Sequence, residues 1–451
     1  MFAITDRGYR PAERRGTGSG WRLIILAASV LLFTLPAVGQ DDTVDDDDNI
    51  GFEIAQAFTD GSFDLQFRYR YEYVDRDSLG PTDPVTDSAN ASTLRTRLEY
   101  RTAEFRNLSL TLGLDDVRPV FSSDFNDTRN GKTQYPIVAD PKGTDLNLAS
   151  LTFTGLNNTQ FVLGRQRIQR GNLRFIGGVE WRQNEQTYDS VSVAYSPSDK
   201  LKAFYSHVSR VKRIFGPDSG VPSADFSSST NLLDVSYSFG PLLNLFGYGY
   251  WLDLSNRNEA APAQDLSSSQ TFGLRLTGNH EFDNKLKLGY AVEYASQQDY
   301  ADNPINYDAG YSLLEATLDW SRFGVKAGYE VLEGNGQPGE SFQTPLATGH
   351  KFNGWADRFL ATPSGIIIPD TGGLEDFYIA ASANILKGKW SLIYHDFSPQ
   401  TGSGNYGDEL DFSAKWSFGE HYSVLAKFAL YNADTFLVDT DKFWVMLTAS
   451  F

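Results

Sequence analysis

The sequence predicts an all-β protein: a transmembrane, antiparallel, up-and-down β-barrel of about eighteen strands with long extracellular loops and short periplasmic turns. Three observations predict this fold. Apolar and polar side chains alternate strictly in many segments, and long and short connections alternate between those segments. Aromatic residues make up 14% of the chain.

The composition excludes several other classes of protein. The chain has 451 residues, no cysteine and a formal net charge of -18. The lack of cysteine excludes a disulfide scaffold, a thiolate zinc site, an iron–sulfur cluster and a cysteine nucleophile. A general nucleic-acid binder is disfavoured because it would carry a net positive surface, so no nucleic-acid partner is expected.

The N-terminal segment is predicted to be a secretory signal peptide spanning residues 1–39. Arginines precede the apolar run Leu23–Leu35, and small residues follow Pro36, which is the usual order in such peptides. A retained membrane anchor is the alternative, but the run is short for a span of about 20 residues. Gly16 follows Arg14 and Arg15, which favours the general secretory route over twin-arginine export. Residues 40–62 are acidic and predicted to be flexible.

The first barrel segment shows the alternation most clearly. In residues 63–74, Phe63, Leu65 and Phe67 share one face with three tyrosines, while Arg68 and Arg70 lie on the other face. A period of two over this length is typical of a half-exposed strand. Equivalent patterns predict eighteen strands at 63–74, 93–105, 107–115, 146–155, 159–168, 187–196, 200–210, 231–239, 242–252, 270–279, 284–296, 311–320, 322–332, 374–385, 388–397, 408–418, 421–431 and 442–451.

The connections between the segments distinguish a membrane barrel from a soluble sandwich or propeller. Long polar loops at 75–92, 116–145 and 333–373 contrast with tight turns at 104–107 and 196–199. Long loops on one side only are typical of outer-membrane barrels, and closure leaves no unpaired edge in lipid. Outer-membrane lipid is therefore an expected partner, and the outer membrane of a Gram-negative cell is the expected location.

The last predicted strand, FWVMLTASF, ends on the aromatic Phe451. A terminal aromatic on an alternating strand resembles the signal by which barrel proteins are handed to the outer-membrane assembly machinery, which is therefore an expected partner.

The polar positions of the early strands are unusually basic. Arginine side chains bind carboxylates through forked donors, and charged rings in a pore select ions of the opposite sign. The basic positions on the predicted inner face are Arg68, Arg70, Arg95, Arg97, Arg101, Arg165, Arg167 and Arg182. Two interpretations are open: a pore selective for anions, or an internal salt-bridge network that stiffens the lumen. The acidic residues expected to pair with some of these arginines are Glu72, Glu99, Asp115, Glu185, Glu293 and Glu330.

Two motifs resemble the alginate export family of outer-membrane proteins. They are LGRQRIQRGNLRFIGGVEWRQNEQTYDSVSV at 163–193 and LRTRLEY at 94–100. The resemblance implies an eighteen-stranded barrel over residues 63–451 that conducts alginate through an electropositive constriction. It implies that the loop 169–186 folds into the pore mouth. The positive lining implied by the family pattern consists of Arg95, Arg97, Arg165, Arg167, Arg174 and Arg182.

Two rival functions have weaker support. A hydrolase would need a nucleophile next to one of five histidines, but sequence neighbours such as Ser206 and His207 point to opposite faces of a strand. A plugged transporter would need an N-terminal plug domain and about twenty-two strands. No catalytic residue, metal or cofactor is predicted. The loop 333–373 is long enough to act as a lid, and we expect its deletion to raise conductance.

The predicted function is therefore an outer-membrane channel that passively conducts an anionic polysaccharide or oligosaccharide. Alginate or a related uronate is the favoured solute, and an anionic saccharide is the expected binding partner. A general anion-preferring or small-solute porin is the alternative.

Overall fold

The protein is a closed antiparallel β-barrel whose wall has eighteen strand positions. The computed structural model describes residues 46–256, 267–282 and 285–451, so the predicted signal peptide 1–39 lies outside the described residues. The strands are β1 Ser62–Arg76, β2 Ala89–Arg101, β3 Leu108–Asp124, β4 Gly143–Leu156, β5 Thr159–Gln166, β6 Thr187–Tyr195, β7 Leu201–Lys212, β8 Asp225–Gly240, β9 Leu243–Leu252, β10 Leu254–Asn256, β11 Ser269–Glu281, β12 Leu286–Asp299, β13 Asp308–Trp320, β14 Phe323–Leu332, β15 Leu374–Ile385, β16 Gly388–Ser398, β17 Gly407–Phe418, β18 Tyr422–Ala433 and β19 Thr440–Ser450.

Apart from the short strand β10, each strand pairs with the next along the chain, β9 with β11, and the first strand closes the ring against the last. Arg70 of β1 lies opposite Met446 of β19 in this closing ladder. Strand β10 continues β9 past Asp253 and, like β9, pairs with β8, so β9 and β10 together fill one of the eighteen positions. All eighteen predicted strands are confirmed. The largest differences are in β3 and β8, which extend further toward the long-loop end than their apolar alternation indicated.

The two faces of the wall are divided as the alternation predicts. Large apolar side chains point outward and remain exposed, including Phe63 at 66%, Tyr294 at 61% and Leu314 at 61%. Neighbouring polar residues such as Arg70 and Glu293 point inward and are buried. The outward face is the one suited to lipid, because alternation places apolar residues toward the membrane in such barrels.

Tight turns define one end of the barrel, which we call the periplasmic end. The turn between β15 and β16 consists of Leu386 and Lys387, with φ of 52° and 58°. Two successive residues in the left-handed region form the hairpin turn that matches the right-handed twist of the flanking strands. The opposite, extracellular end carries the long loops.

The structure differs from the sequence prediction in the segment before β1. Residues 40–62 were predicted to be flexible, but Asp46–Thr59 form helix α1. Ile50, Ile54, Ala57 and Phe58 recur at helical spacing and provide an apolar stripe that the neighbouring aspartates obscured. The main-chain N–H of Ala103 donates to the carbonyl of Ala57 at 2.8 Å. No helix within the described ranges is long and apolar enough to cross a membrane.

The apolar core lies inside the barrel, between the wall and two loops that fold inward. We name these loops L3, residues 167–186, and L7, residues 333–373. Ile176 of L3 and Phe342 and Leu346 of L7 are fully buried, and Ile176 forms a parallel bridge with Leu346. The two loops therefore pack against each other in the lumen.

Candidate functional site

The candidate site is the lumen, where L3 lies against the arginines of β1. Arg68 donates from Nε to Oε1 of Gln183 at 3.0 Å and from Nη1 to the carbonyl of Glu180 at 2.8 Å. It also donates to the carbonyl of Arg182, and Arg70 donates to the carbonyl of Trp181. The carbonyls of three consecutive L3 residues thus accept hydrogen bonds from two arginines of the barrel wall. Charged donors form strong hydrogen bonds, so this contact holds L3 inward.

Deeper contacts fix the same part of L3. The amide of Gln183 donates to Oγ1 of Thr93 at 2.8 Å. The main-chain N–H of Gln183 donates to Oδ1 of Asp140 at 2.8 Å. Asp140 also pairs with Arg70, so one carboxylate joins the wall to the loop.

A second group of arginines forms ion pairs nearer the periplasmic end. Arg97 binds Asp115 in a fork at 2.7 and 2.6 Å and approaches Glu185 at 3.2 Å. Arg167 pairs with Glu99 and lies 2.7 Å from Glu185. Glu185 is fully buried between these two arginines. A cavity of about 330 Å³ borders the group and is also lined by Gln66.

The third group anchors L3 to the far wall. Arg174 binds Glu330 through Nε at 2.9 Å and through Nη2 at 3.1 Å, and donates to Asn353 of L7 at 2.8 Å. Arg170, which sequence reasoning did not select, pairs with Asp234. Of the expected counter-charges, Glu72, Glu99, Asp115, Glu185 and Glu330 pair with predicted arginines. Glu293 pairs instead with Arg275, which was not predicted.

An aromatic latch joins L3, L7 and the wall, and we define it as Trp181, His350, Trp355, Asp357 and Lys427. Trp181 stacks on His350 with ring centroids 4.3 Å apart. The ammonium of Lys427 lies 3.5 Å from the centroid of Trp355 and 2.7 Å from Nε2 of His350. Nδ1 of His350 lies 2.7 Å from Asp357.

Two further cations complete the surroundings of Asp357. Arg182 approaches it at 3.2 Å and Lys442 at 2.8 Å. Sequence reasoning missed the latch because single lysines and tryptophans on an alternating strand do not reveal which loop reaches them.

Burial controls protonation in the loop part of the latch. Burial, assisted by the charges of Lys427 and Arg182, lowers the pKa of His350 to about 3 despite the opposing effect of Asp357. Burial alone would raise the pKa of Asp357, but His350, Lys442 and Arg182 hold it well below its usual range. His350 is therefore neutral near pH 7, and its Nε2 accepts from Lys427.

Arg68 and Arg95 differ from the other interior arginines. They lie directly opposite each other in the β1–β2 register, and neither has a carboxylate within ion-pair distance among the described residues. Arg95 donates from Nη2 to Gln66, while its buried Nε and Nη1 have no hydrogen-bond partner in that part of the chain. A buried donor without a partner is costly, so this pair carries positive charge that no carboxylate of the described residues compensates.

Arg165 was predicted to line the pore, and the structure contradicts this. It shares the outward face with Leu163, which is 58% exposed, and it pairs with Asp189 at 2.7 Å on the same face. Strand β5 ends at Gln166, so the chain leaves the wall before Arg167. Of Arg165 and Arg167, it is Arg167 that reaches the lumen. Arg101 lies on the inner face at the periplasmic end of β2, where it is exposed.

A cavity of about 370 Å³ lies between L7 and the inner face of β13 to β16. Its cations are Arg275, Lys326 and Lys351, of which Lys326 pairs with Glu315 at 3.1 Å. Phe352, Trp355 and Tyr378 supply aromatic surface. These residues escaped sequence analysis because each is a single charge or ring in its own strand or loop.

The described residues contain no group of three or more histidine, aspartate or glutamate side chains placed to hold a metal ion. His207 lies on the outer face, and His395 on the inner face pairs with Asp376 at 2.8 Å. Ser206 is buried on the inner face of the same strand, so its side chain points away from His207.

Comparison with known families gives one match. A family model described as alginate export matches residues 60–358, which is more than half of the chain. A search of curated proteins found no significant match.

Solved structures with the same fold come from outer-membrane porins. OccK9 (OpdG) of Pseudomonas aeruginosa is 13% identical with a TM-score of 0.66, over 87% of this chain and 99% of that chain. OccAB4 of Acinetobacter baumannii is 13% identical with a TM-score of 0.61, over 86% and 98%. Pseudomonas aeruginosa OpdK, solved with vanillate, is 12% identical with a TM-score of 0.62, over 86% and 98%. Identities this low show the fold alone.

Proposed function

The chain belongs to the alginate export family, and from that premise we propose that it is an outer-membrane channel that passively conducts an anionic saccharide, with alginate or a related uronate as the favoured solute. The family description and the fold both support a channel.

The observation that carries the proposal is the opposed pair Arg68 and Arg95. Most interior arginines already have carboxylate partners, which supports the salt-bridge interpretation for those residues. Arg68 and Arg95 have none within the described ranges, and both are buried beneath L3, so a displacement of L3 would expose their charge to the carboxylates of a solute. A uronate offers one carboxylate per sugar, and guanidinium groups bind carboxylates in a planar fork.

L3 occupies part of this binding capacity. The loop carbonyls of Glu180 and Arg182 accept from Arg68, and a solute carboxylate would compete for the same donors. A carboxylate is a stronger acceptor than a neutral carbonyl, so an anionic solute would favour displacement of L3 from the wall.

The test is a planar-bilayer recording of the refolded channel with added oligouronates. We expect anion selectivity and a concentration-dependent block, and we expect Arg68→Gln combined with Arg95→Gln to weaken both. The matched control is Arg165→Gln, which removes a charge of the same type from the outer face. Cation selectivity without block in the wild type would overturn the proposal.

A small-solute porin is a second candidate, favoured by the limited size of the cavity beside L7. A volume of about 370 Å³ suits a small ligand, and a porin of the same fold was solved with the small carboxylate vanillate. Block by a monouronate as strong as block by a hexauronate would favour this candidate. Block that strengthens with chain length would favour the saccharide channel.

A further inference from the structure

The outer surface of the barrel carries charged residues that channel function does not use. They lie on the outer face of five successive strands, in the middle of β3 and near the extracellular ends of β4 to β7. We name them the outer-wall row, which consists of Asp116, Arg118, Thr144, Arg165, Asp189 and Arg210.

Side-chain contacts make the row continuous. Arg118 donates to Asp116 at 2.7 Å and to Oγ1 of Thr144 at 3.0 Å. Two residues further along β4, the carbonyl of Leu146 accepts from Nη1 of Arg165 at 2.8 Å. Two residues of strand span about 7 Å, so the guanidinium groups of Arg118 and Arg165 bind neighbouring points of β4.

The row continues across β6 to β7. Asp189 accepts from Arg165 at 2.7 and 3.0 Å and lies 3.6 Å from Nε of Arg210. Asp189 thus bridges two arginines.

The row faces the membrane and not the lumen. On each of three of its strands, the outward residue two positions nearer the periplasm is apolar and exposed: Leu114 at 45%, Leu163 at 58% and Val191 at 48%. On β4 to β7 the charges therefore mark the extracellular border of the apolar surface, whereas on β3 the exposed Val120 and Phe121 lie beyond Arg118.

On β5 that border lies close to the periplasmic end of the barrel. On β5 only six residues separate Thr159 from Arg165, which is about 20 Å along a strand and less along the membrane normal. The apolar band of such barrels is about 25 Å tall. On β1 the outward positions from Phe63 to Tyr73 are all apolar or aromatic, so the band is taller there. A short apolar span is matched by local thinning of the bilayer, which brings outer-leaflet head groups down to the row.

Donors in the row remain unused. The side chain of Arg118 is 53% exposed and that of Arg210 is 34% exposed. Within the described ranges, Nη1 of Arg118 and both Nη atoms of Arg210 have no hydrogen-bond partner. Cationic side chains on a lipid face are costly by about 2–4 kcal/mol at the bilayer midplane and far less near head groups, so an anionic head group would satisfy these donors.

The opposite side of the wall has the opposite charge at its border. Six of the other strands carry an acidic outward residue near the extracellular end, namely Asp75, Asp308, Glu375, Asp396, Asp408 and Asp441. An anionic ligand of the wall is therefore directed to β3–β7.

We propose that the outer-wall row binds the phosphate groups of an outer-leaflet lipid, a phosphorylated glycolipid whose acyl chains cover Leu163 and Val191. Basic clusters at membrane borders recognise lipid head groups in this way, and arginine is suited to planar, forked contacts with phosphate. This inference concerns the outer surface and does not rest on which solute the lumen conducts.

Native mass spectrometry of the full chain in detergent, titrated with bisphosphorylated lipid A, tests the proposal. We expect retained lipid in the wild type and about tenfold weaker retention in the double variant Arg118→Gln, Arg210→Gln, because two charged donors are lost. The matched control is Lys387→Gln with Lys389→Gln, which removes two charges at the periplasmic end and should retain lipid as the wild type does. Heat-modified gel mobility checks that each variant is folded.

Three outcomes would overturn the assignment. Equal retention by the folded double variant would remove the row from lipid binding. Competition by inorganic phosphate at the same concentration as lipid A would indicate a free-ion site. Loss of a dimer in the double variant, with lipid retention unchanged, would identify the row as an interface between two copies.

Discussion

The arginines inside the barrel and the arginines on its outer wall have the same side chain but opposite surroundings. Inside, Arg70 and its partner Glu72 are each only 1% exposed. Outside, Arg118 is 53% exposed and its partner Asp116 is 28% exposed. Removing one member of a buried pair leaves an uncompensated charge, whereas an exposed pair contributes little.

The face of the strand on which an arginine lies, more than the number of arginines, therefore determines what each one does. The interior pairs join L3 and L7 to the wall and fix the shape of the lumen. The outer-wall row leaves donors available toward the membrane.

Removing L7 should have the largest effect, because the loop supplies Asn353 to Arg174 and Asp357 to Arg182. Leu332 and Leu374 are cross-strand partners, so a short turn can replace residues 333–373 without changing the ladder. We expect higher single-channel conductance in planar bilayers. Replacing the loop 77–88 in the same way is the control, and an unchanged conductance in the L7 variant would contradict a role of L7 in filling the lumen.

The substitution Glu72→Gln tests the interior side of the comparison. Glu72 lies 2.8 Å from Arg70 and 3.1 Å from Arg182, so the variant leaves two buried cations short of a partner. Each arginine keeps a second carboxylate, Asp140 for Arg70 and Asp357 for Arg182. We therefore expect a loss of about 1.5–3 kcal/mol in the free energy of unfolding, measured from urea titrations followed by tryptophan fluorescence.

The control for that substitution is Asp116→Asn on the outer wall, for which we expect a change of less than about 1 kcal/mol. Equal effects of the two substitutions would remove the energetic distinction between the two sets of arginines.

The latch should loosen in acid. The pKa of His350 is about 3 in the folded protein and 6.5 as an ordinary value, so the unfolded chain binds the proton first. The stability that neutral His350 provides is complete above pH 6.5 and is lost as pH falls toward 3, by at most about 1.4 kcal/mol per pH unit. The lowered pKa of Asp357 acts in the same direction.

Unfolding titrations between pH 7 and pH 4 measure this slope. We expect His350→Gln to reduce the slope and His207→Gln, on the outer face, to leave it unchanged. The same slope in wild type and His350→Gln would exclude His350 as its source.

The smallest effect is expected for Arg118→Gln, which removes a half-exposed cation from the outer-wall row. We expect a change within about 0.5 kcal/mol in the free energy of unfolding in detergent without added lipid. A loss of several kcal/mol would show that this arginine is structural in the way that Arg70 is.

The strands were predictable from sequence because one face of each had to be apolar and the other polar. The same rule could have placed Arg165 correctly, since it has the parity of Phe161 and Leu163. The partners of L3 and L7 were not predictable, because contacts such as Arg174 with Glu330 join residues 156 positions apart. The helix α1 was missed because its apolar spacing follows directly on a run of aspartates.

The closing ladder between β1 and β19 also has a kinetic consequence. The ring cannot close until the last strand is in place, and Glu72 on the first strand meets Arg182, 110 positions away, only through L3. Contacts of such high sequence separation slow folding, because loop-closure entropy is lost before they form. The ion pairs of the lumen are therefore expected to form late in folding.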